Sequence, residues 1–137
     1  MEKVYETFPG YCSDTYITAI RPQLHDVFGP LVPSVEDKSL YQFHTAAEDT
    51  YLSIKYVNLP KSECTRVLLD ENEVVNAGVL QLHNKRVVFV VGFADANCMW
   101  AFRRSEYKTS YMGDASDPAH PVIKSCCYLP IENLHLL

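Results

Sequence analysis

Apolar residues recur at three- and four-residue spacing in the segment that follows Ser13. They are Tyr16, Ile17, Ile20, Leu24, Val27 and Phe28. This spacing places them on one face of a helix, and Ser13 is a good N-cap residue, so the segment predicts an amphipathic helix. Pro22 lies inside the pattern and must either kink this helix or begin a second one. Gly29 and Pro30 predict its end.

Four segments have the composition or the alternation of strands. They are residues 40–45, 51–57, 98–103 and 122–129. The first two flank residues 46–50, which suit an exposed hairpin loop because they include two acidic residues. In the third segment, alternation places Cys98, Trp100 and Phe102 on one face. Residues 113–121 predict a loop before the last strand.

Turn chemistry predicts two further elements in the middle of the chain. A short helix is predicted to begin at Ser62, two residues after a proline. Its inward face is Cys64, Val67 and Leu68. Residues 76–78 (Asn-Ala-Gly) are typical of a turn. Residues 79–91 then predict a tight β-hairpin that turns at Asn84 and Lys85.

Strands joined by short connections, with few helices between them, indicate an α+β protein rather than a doubly wound parallel sheet. A parallel crossover needs about a dozen residues or more, and few connections here are that long. The chain of 137 residues suits one domain. We therefore predict a single globular domain over residues 1–137, with a mostly antiparallel sheet packed against two or three short helices.

Charge and hydropathy exclude several classes of protein. The net charge of −5 argues against a general nucleic-acid-binding protein, which needs clustered lysine and arginine. No run approaches the roughly 18 apolar residues of a membrane helix. Residues 1–8 contain no long apolar stretch, so no secretory signal is expected and the expected location is the cytoplasm.

Cysteine, histidine and glycine patterns favour no catalytic or metal site. The five cysteines are odd in number and irregular in spacing, unlike a disulfide-rich scaffold. The histidines lack the paired spacing of a metal site. Cys64 near His44 or His83 is the candidate for a Cys-dependent enzyme, but its predicted apolar surroundings favour core packing. No glycine-rich phosphate loop is present. We expect no catalytic residue, no metal and no cofactor.

The densest group of aromatic and cationic residues follows the predicted strand at residues 98–103. The predicted ligand-binding residues are Trp100, Arg103, Arg104, Tyr107 and Tyr111. Rings and guanidinium groups in this group could stack on a base or bind a phosphate. Alternatively, Trp100 lies in the core and the arginines form an ordinary solvated edge. The nine tyrosines favour binding as a function, because tyrosine is enriched at interfaces.

One stretch resembles a known family. Residues 52–68, LSIKYVNLPKSECTRVL, resemble the strand, proline and cysteine-bearing helix of type IVb pilin globular domains, and residues 98–102, CMWAF, are similar to a later cysteine-bearing strand of that family. The resemblance implies a disulfide between Cys64 and Cys98. It also implies a structural filament subunit outside the cytoplasm.

Taken together, these patterns predict a non-enzymatic binding protein. We expect a small acidic inhibitor, immunity-type or anti-defence protein that binds a protein partner or sequesters a small anionic, nucleotide-like ligand. A homo-oligomer is possible on this sequence. The pilin-like filament subunit is the alternative.

Overall fold

The structure, a computed structural model, contains two helices and ten strands within the residues it describes. These residues are 5–7, 14–33, 41–69, 71–104, 106–114 and 122–137. The helices are α1 (Asp14–Phe28) and α2 (Glu71–Leu82). The strands are β1 (Tyr5–Thr7), β2 (Leu31–Pro33), β3 (Phe43–Thr45), β4 (Thr50–Tyr56), β5 (Cys64–Leu69), β6 (Arg86–Gly92), β7 (Asn97–Ala101), β8 (Lys108–Asp114), β9 (Val122–Pro130) and β10 (His135–Leu136).

The strands form two sheets. One sheet has six strands in the order β10-β7-β6-β4-β3-β2, and the other has four in the order β1-β5-β9-β8. Only two of the pairings between described strands are parallel, β1 with β5 and β4 with β6. The predicted α+β fold with mostly antiparallel strands is therefore confirmed.

Strand β6 is the centre of the core because both of its faces are buried. Val87, Phe89 and Val91 join one apolar cluster, together with residues of α2 and of the four-stranded sheet. Val88 and Val90 join a second cluster with residues of α1. Alternate side chains of a strand point to opposite faces, so one continuous apolar run can fill two cores. Helix α2 covers one face of the six-stranded sheet and α1 covers the other.

Helix α1 confirms the first prediction. It runs from Asp14 through Pro22 to Phe28 as one helix. Ile20 and Leu24, one turn apart, are buried against the sheet. Gly29 follows with φ of +85°, a left-handed conformation that costs glycine little and ends a helix.

Helix α2 shows that the predicted turn at residues 76–78 is wrong. These residues lie inside the helix, and so does the first half of the predicted hairpin, whereas β6 confirms its second half. Asn and Gly are weak helix formers, but burying Val74 and Ala77 against the sheet outweighs their preference. The turn itself falls at Asn84, which has φ of +60°.

The predicted helix at residues 62–68 is also wrong. A single 3-10 turn, Lys61–Glu63, leads directly into β5. This strand pairs with β9, with Val67 opposite Leu129, and with β1. Partners so distant in sequence leave no local pattern, so the three- and four-residue spacing of Cys64, Val67 and Leu68 was misleading.

The parallel pairing of β4 with β6 was not expected. Its connection passes through β5 in the other sheet and then through α2. Such a crossover places α2 across the sheet. It thereby decides which side chains of α2 face the core and which face solvent.

Candidate binding surface

The outer face of α2 carries a line of exposed apolar side chains. Val75 is 61% exposed, Val79 47% and Leu82 74%. They lie at positions i, i+4 and i+7, which share one face of a helix. The buried residues of α2 are Glu73, Val74, Ala77 and Gly78, and of these Gly78 lies nearest to the exposed line. We call the three exposed residues the α2 stripe.

The α2 stripe is a concentration of exposed apolar surface. Across the described residues, six large apolar side chains are exposed, and three of them are in this stripe. The other three are Val27, Val32 and Leu136. Single exposed apolar residues are ordinary, whereas adjacent ones mark sites of contact with other molecules.

Arg104 lies against α2 beside this stripe. Its Nη2 atom is 3.1 Å from the position that a β-carbon on Gly78 would occupy. Gly78 is three residues from Val75 and four from Leu82, so it neighbours both on the helix surface. A glycine inside a helix costs about 0.5–1 kcal/mol relative to alanine. Here it lets the guanidinium group approach the helix closely.

Arg103 presents a second cation next to Arg104. Its side chain is 73% exposed, and its Nε atom is 3.9 Å from the Glu106 carboxylate. A contact this long is weak, because the exposed Arg103 side chain stays solvated. Arg104 takes part in no ion pair within the described residues. Both guanidinium groups therefore remain available to an anionic partner group.

The aromatic residues of the predicted ligand site are placed differently. Trp100 is 1% exposed and packs in the core with Phe89, at a ring-centroid distance of 5.6 Å. Tyr107 is half-buried and stacks on Phe102, with centroids 5.8 Å apart. Trp100 has no free face on which a base could stack. The side chain of Tyr111 lies outside the described residues.

Of the predicted group, Arg103 and Arg104 are thus exposed just after β7, Tyr107 packs on Phe102, and Trp100 faces the core. The α2 stripe and Gly78 were missed by sequence reasoning. The spacing of Val75, Val79 and Leu82 is the signal that could reveal the stripe, but the Asn-Ala-Gly sequence at residues 76–78 predicts a turn in its place.

A buried polar cluster attaches α2 to β4 on the opposite side of the helix. Lys55 of β4 and Glu73 of α2 form an ion pair, and Tyr41 donates a hydrogen bond of 2.8 Å to Asn76. The Ser53 side chain is fully buried nearby on the same face of β4, and its hydroxyl has no hydrogen-bond partner among the described residues. The ion pair and the hydrogen bond each join a residue of α2 to a residue outside it, so the cluster orients α2.

Three of the five cysteines lie in the core of the described residues. Cys64, Cys98 and Cys127 are buried. Burial raises the pKa of Cys98 and so disfavours the reactive thiolate. The Cys64–Cys98 disulfide implied by the pilin resemblance stays a prediction. Within the described residues, no three His, Cys, Asp or Glu side chains group as a metal site.

An open cleft of about 380 Å³ lies on the other side of the sheet, between the end of α1 and the β3–β4 hairpin. Val27 and Phe28 form its apolar wall, and Arg86 and Asp49 contribute charges. The Asp49 carboxylate accepts a hydrogen bond from the Thr45 hydroxyl. This bond lowers the pKa of Asp49. Asp49 is therefore engaged within the hairpin.

Comparison with known proteins adds no family. No family model matches the chain, and no curated protein matches it significantly. Among the described residues, no helix is long and apolar enough to cross a membrane.

Proposed function

We propose that this chain is a non-enzymatic binding protein, of the small acidic inhibitor, immunity or anti-defence kind, which holds a protein partner on the α2 stripe. The observation that carries the proposal is the exposure of Val75, Val79 and Leu82 on one helix face. Removing such side chains from water stabilises a complex by about 25 cal/mol for each Å² of apolar area buried. Interfaces commonly surround an apolar centre of this kind with polar and charged residues.

The location of Trp100 favours a protein partner over a small nucleotide-like ligand. Stacking on a base requires an exposed ring, and Trp100 is in the core. Arg103 and Arg104 alone offer an open surface rather than the concave pocket that small ligands need. The two cations fit the rim of a protein interface, where charges steer association.

Affinity purification with two matched variants tests the proposal. Val79→Asp places a charge in the α2 stripe, whereas Val27→Asp makes the same change at an equally exposed valine on α1, 47% in both cases. We expect the wild-type chain and Val27→Asp to form the same stoichiometric complex, which is then rebuilt from the purified partner. Val79→Asp should weaken it at least about tenfold, a loss of about 1.4 kcal/mol. Equal affinity of the two variants would show that the partner binds elsewhere.

A further inference from the structure

We infer that the partner presents an amphipathic helix whose apolar positions are flanked by acidic residues, and that this helix lies along the α2 stripe beside Arg103 and Arg104. The inference rests on the proposed function, because it names the chemistry of the partner at the same surface. It commits to one occupant. A second copy of this chain, or a partner of another chemistry, is an outcome of the test.

The length and shape of the stripe favour a helix. Val75 and Leu82 are seven positions apart, or roughly 10 Å along the axis at 1.5 Å per residue. A partner helix presents anchors at i, i+3 or i+4, and i+7 over the same distance. Two such helix faces pack by fitting the side-chain ridges of one between those of the other. The stripe therefore matches the apolar face of one short helix.

The charges beside the stripe favour acidic flanks on that helix. Arg103 is 73% exposed and touches Glu106 only at 3.9 Å. Arg104 reaches the helix surface itself, over Gly78. Guanidinium groups bind carboxylates with two parallel hydrogen bonds. Lysine or arginine in the flank that meets Arg104 would instead face a like charge.

Gly78 ties the position of Arg104 to the stripe. Alanine would favour the helix at this position, but its β-carbon would lie 3.1 Å from Arg104 Nη2 and push the guanidinium group outward. Gly78→Ala therefore moves the cation without changing the charge of the protein. It is the variant that separates the position of Arg104 from its mere presence.

Three synthetic peptides test the inference in fluorescence anisotropy titrations with the purified full chain. They share one helical apolar face and carry Glu, Gln or Lys at the flanking positions. We expect the Glu peptide to bind at least about tenfold more tightly than the Lys peptide, with a difference that shrinks in high salt. Arg104→Glu should reverse this order. Gly78→Ala should weaken the Glu peptide several-fold while the circular dichroism spectrum stays unchanged.

Arg86→Glu is the matched charge control. Arg86 is also exposed but lines the cleft beside α1, on the other face of the sheet. The Arg86→Glu variant changes the net charge of the protein by the same amount as Arg104→Glu. We expect it to preserve the order of the three peptides. Reversal by both variants would mean that net charge, and not the surface beside α2, selects the peptide.

Other outcomes overturn the inference in distinguishable ways. If the three peptides bind with equal affinity and Val79→Asp abolishes the binding of each, the preference for acidic flanks is wrong. The α2 stripe then remains the binding surface. Failure of every peptide to bind, while the full partner still requires Val79, overturns the helical occupant alone. A dimer in sedimentation velocity that Val79→Asp dissociates assigns the stripe to a second copy. Peptide binding that survives Val79→Asp overturns this inference, because the peptide then lies elsewhere, whereas the proposed function falls only if the complex with the full partner also survives Val79→Asp.

Discussion

Lys55 of β4 and Glu73 of α2 form an ion pair between the six-stranded sheet and the helix that carries the α2 stripe. The side chains are 16% and 6% exposed, so both charges are largely removed from water. A buried charge is costly unless an opposite charge lies beside it. The pair therefore favours one placement of α2 on the sheet, and with it the outward direction of Val79.

We expect Lys55→Met to lower the free energy of unfolding by about 3 kcal/mol, because the Glu73 carboxylate loses its ion-pair partner in a buried position. The double variant Lys55→Met/Glu73→Leu should recover most of the loss. Urea unfolding followed by Trp100 fluorescence measures both. Arg103→Met, which breaks the 3.9 Å contact of an exposed arginine with Glu106, should cost less than about 0.5 kcal/mol. Equal costs for Lys55→Met and Arg103→Met would contradict a structural role for the buried pair.

Gly92→Ala should destabilise the protein by about 2 kcal/mol, because the new β-carbon would overlap the Tyr16 ring and hydroxyl. Moving Tyr16 also breaks its 2.9 Å hydrogen bond to Asn97. The same change should cost little in a Tyr16→Ala background, a non-additivity that a double-mutant cycle measures. Gly78→Ala is the control, since its β-carbon meets only the flexible end of Arg104. If Gly92→Ala lowers the stability just as much in the Tyr16→Ala background, overlap with Tyr16 is not the cause of the loss.

Thr45→Val should raise the pKa of Asp49 toward its ordinary value of 3.8, because the Thr45 hydroxyl bond is the largest cause that lowers it. A carboxyl whose pKa is lower in the folded protein than in the unfolded protein stabilises the fold when the pH is above the pKa of the unfolded protein. That stabilisation is lost as the pH falls through the folded value. NMR titration of Asp49 in both proteins tests the shift. An unchanged midpoint in Thr45→Val would rule out the hydroxyl as its cause, and Asp49→Asn should remove this part of the acid sensitivity.

Cys98 should react slowly with iodoacetamide at neutral pH in the folded protein. Burial raises its pKa, so little thiolate forms, and its 0% exposure also blocks the reagent. Peptide mapping by mass spectrometry after brief labelling measures this, and labelling in guanidinium chloride supplies the fully reactive reference. Rapid labelling of Cys98 in the folded protein would contradict its burial in the core.

Local patterns predicted the elements whose buried residues follow a regular spacing within the element itself. Helix α1 follows from the positions of Ile20 and Leu24, and β7 follows from the alternation of Cys98 and Trp100. Helix α2 and strand β5 did not follow, because each is stabilised by contacts far away in the sequence. Leu129, which pairs with Val67, is one such contact. Gly78 was assigned to a turn for the same reason.

The candidate surface divides in the same way. Arg103 and Arg104 were predicted from their density of charge beside aromatic residues, and they lie at the surface. Trp100 belonged to the same group in the sequence but lies in the core. The sequence shows that aromatic and cationic residues are adjacent along the chain. The alternation along β7 and the packing of the core decide which of their side chains are exposed to solvent.

The sequence by itself determined the class of the fold, because apolar periodicity and turn residues act over only a few positions. It also determined the acidic net charge and the arginines beside β7. The tertiary structure alone decided that residues 71–82 are helical, that Arg104 lies over Gly78, and that the α2 stripe faces solvent. These outcomes depend on the parallel pairing of β4 with β6, which joins residues such as Thr50 and Arg86, far apart along the chain, and orients the helix between them.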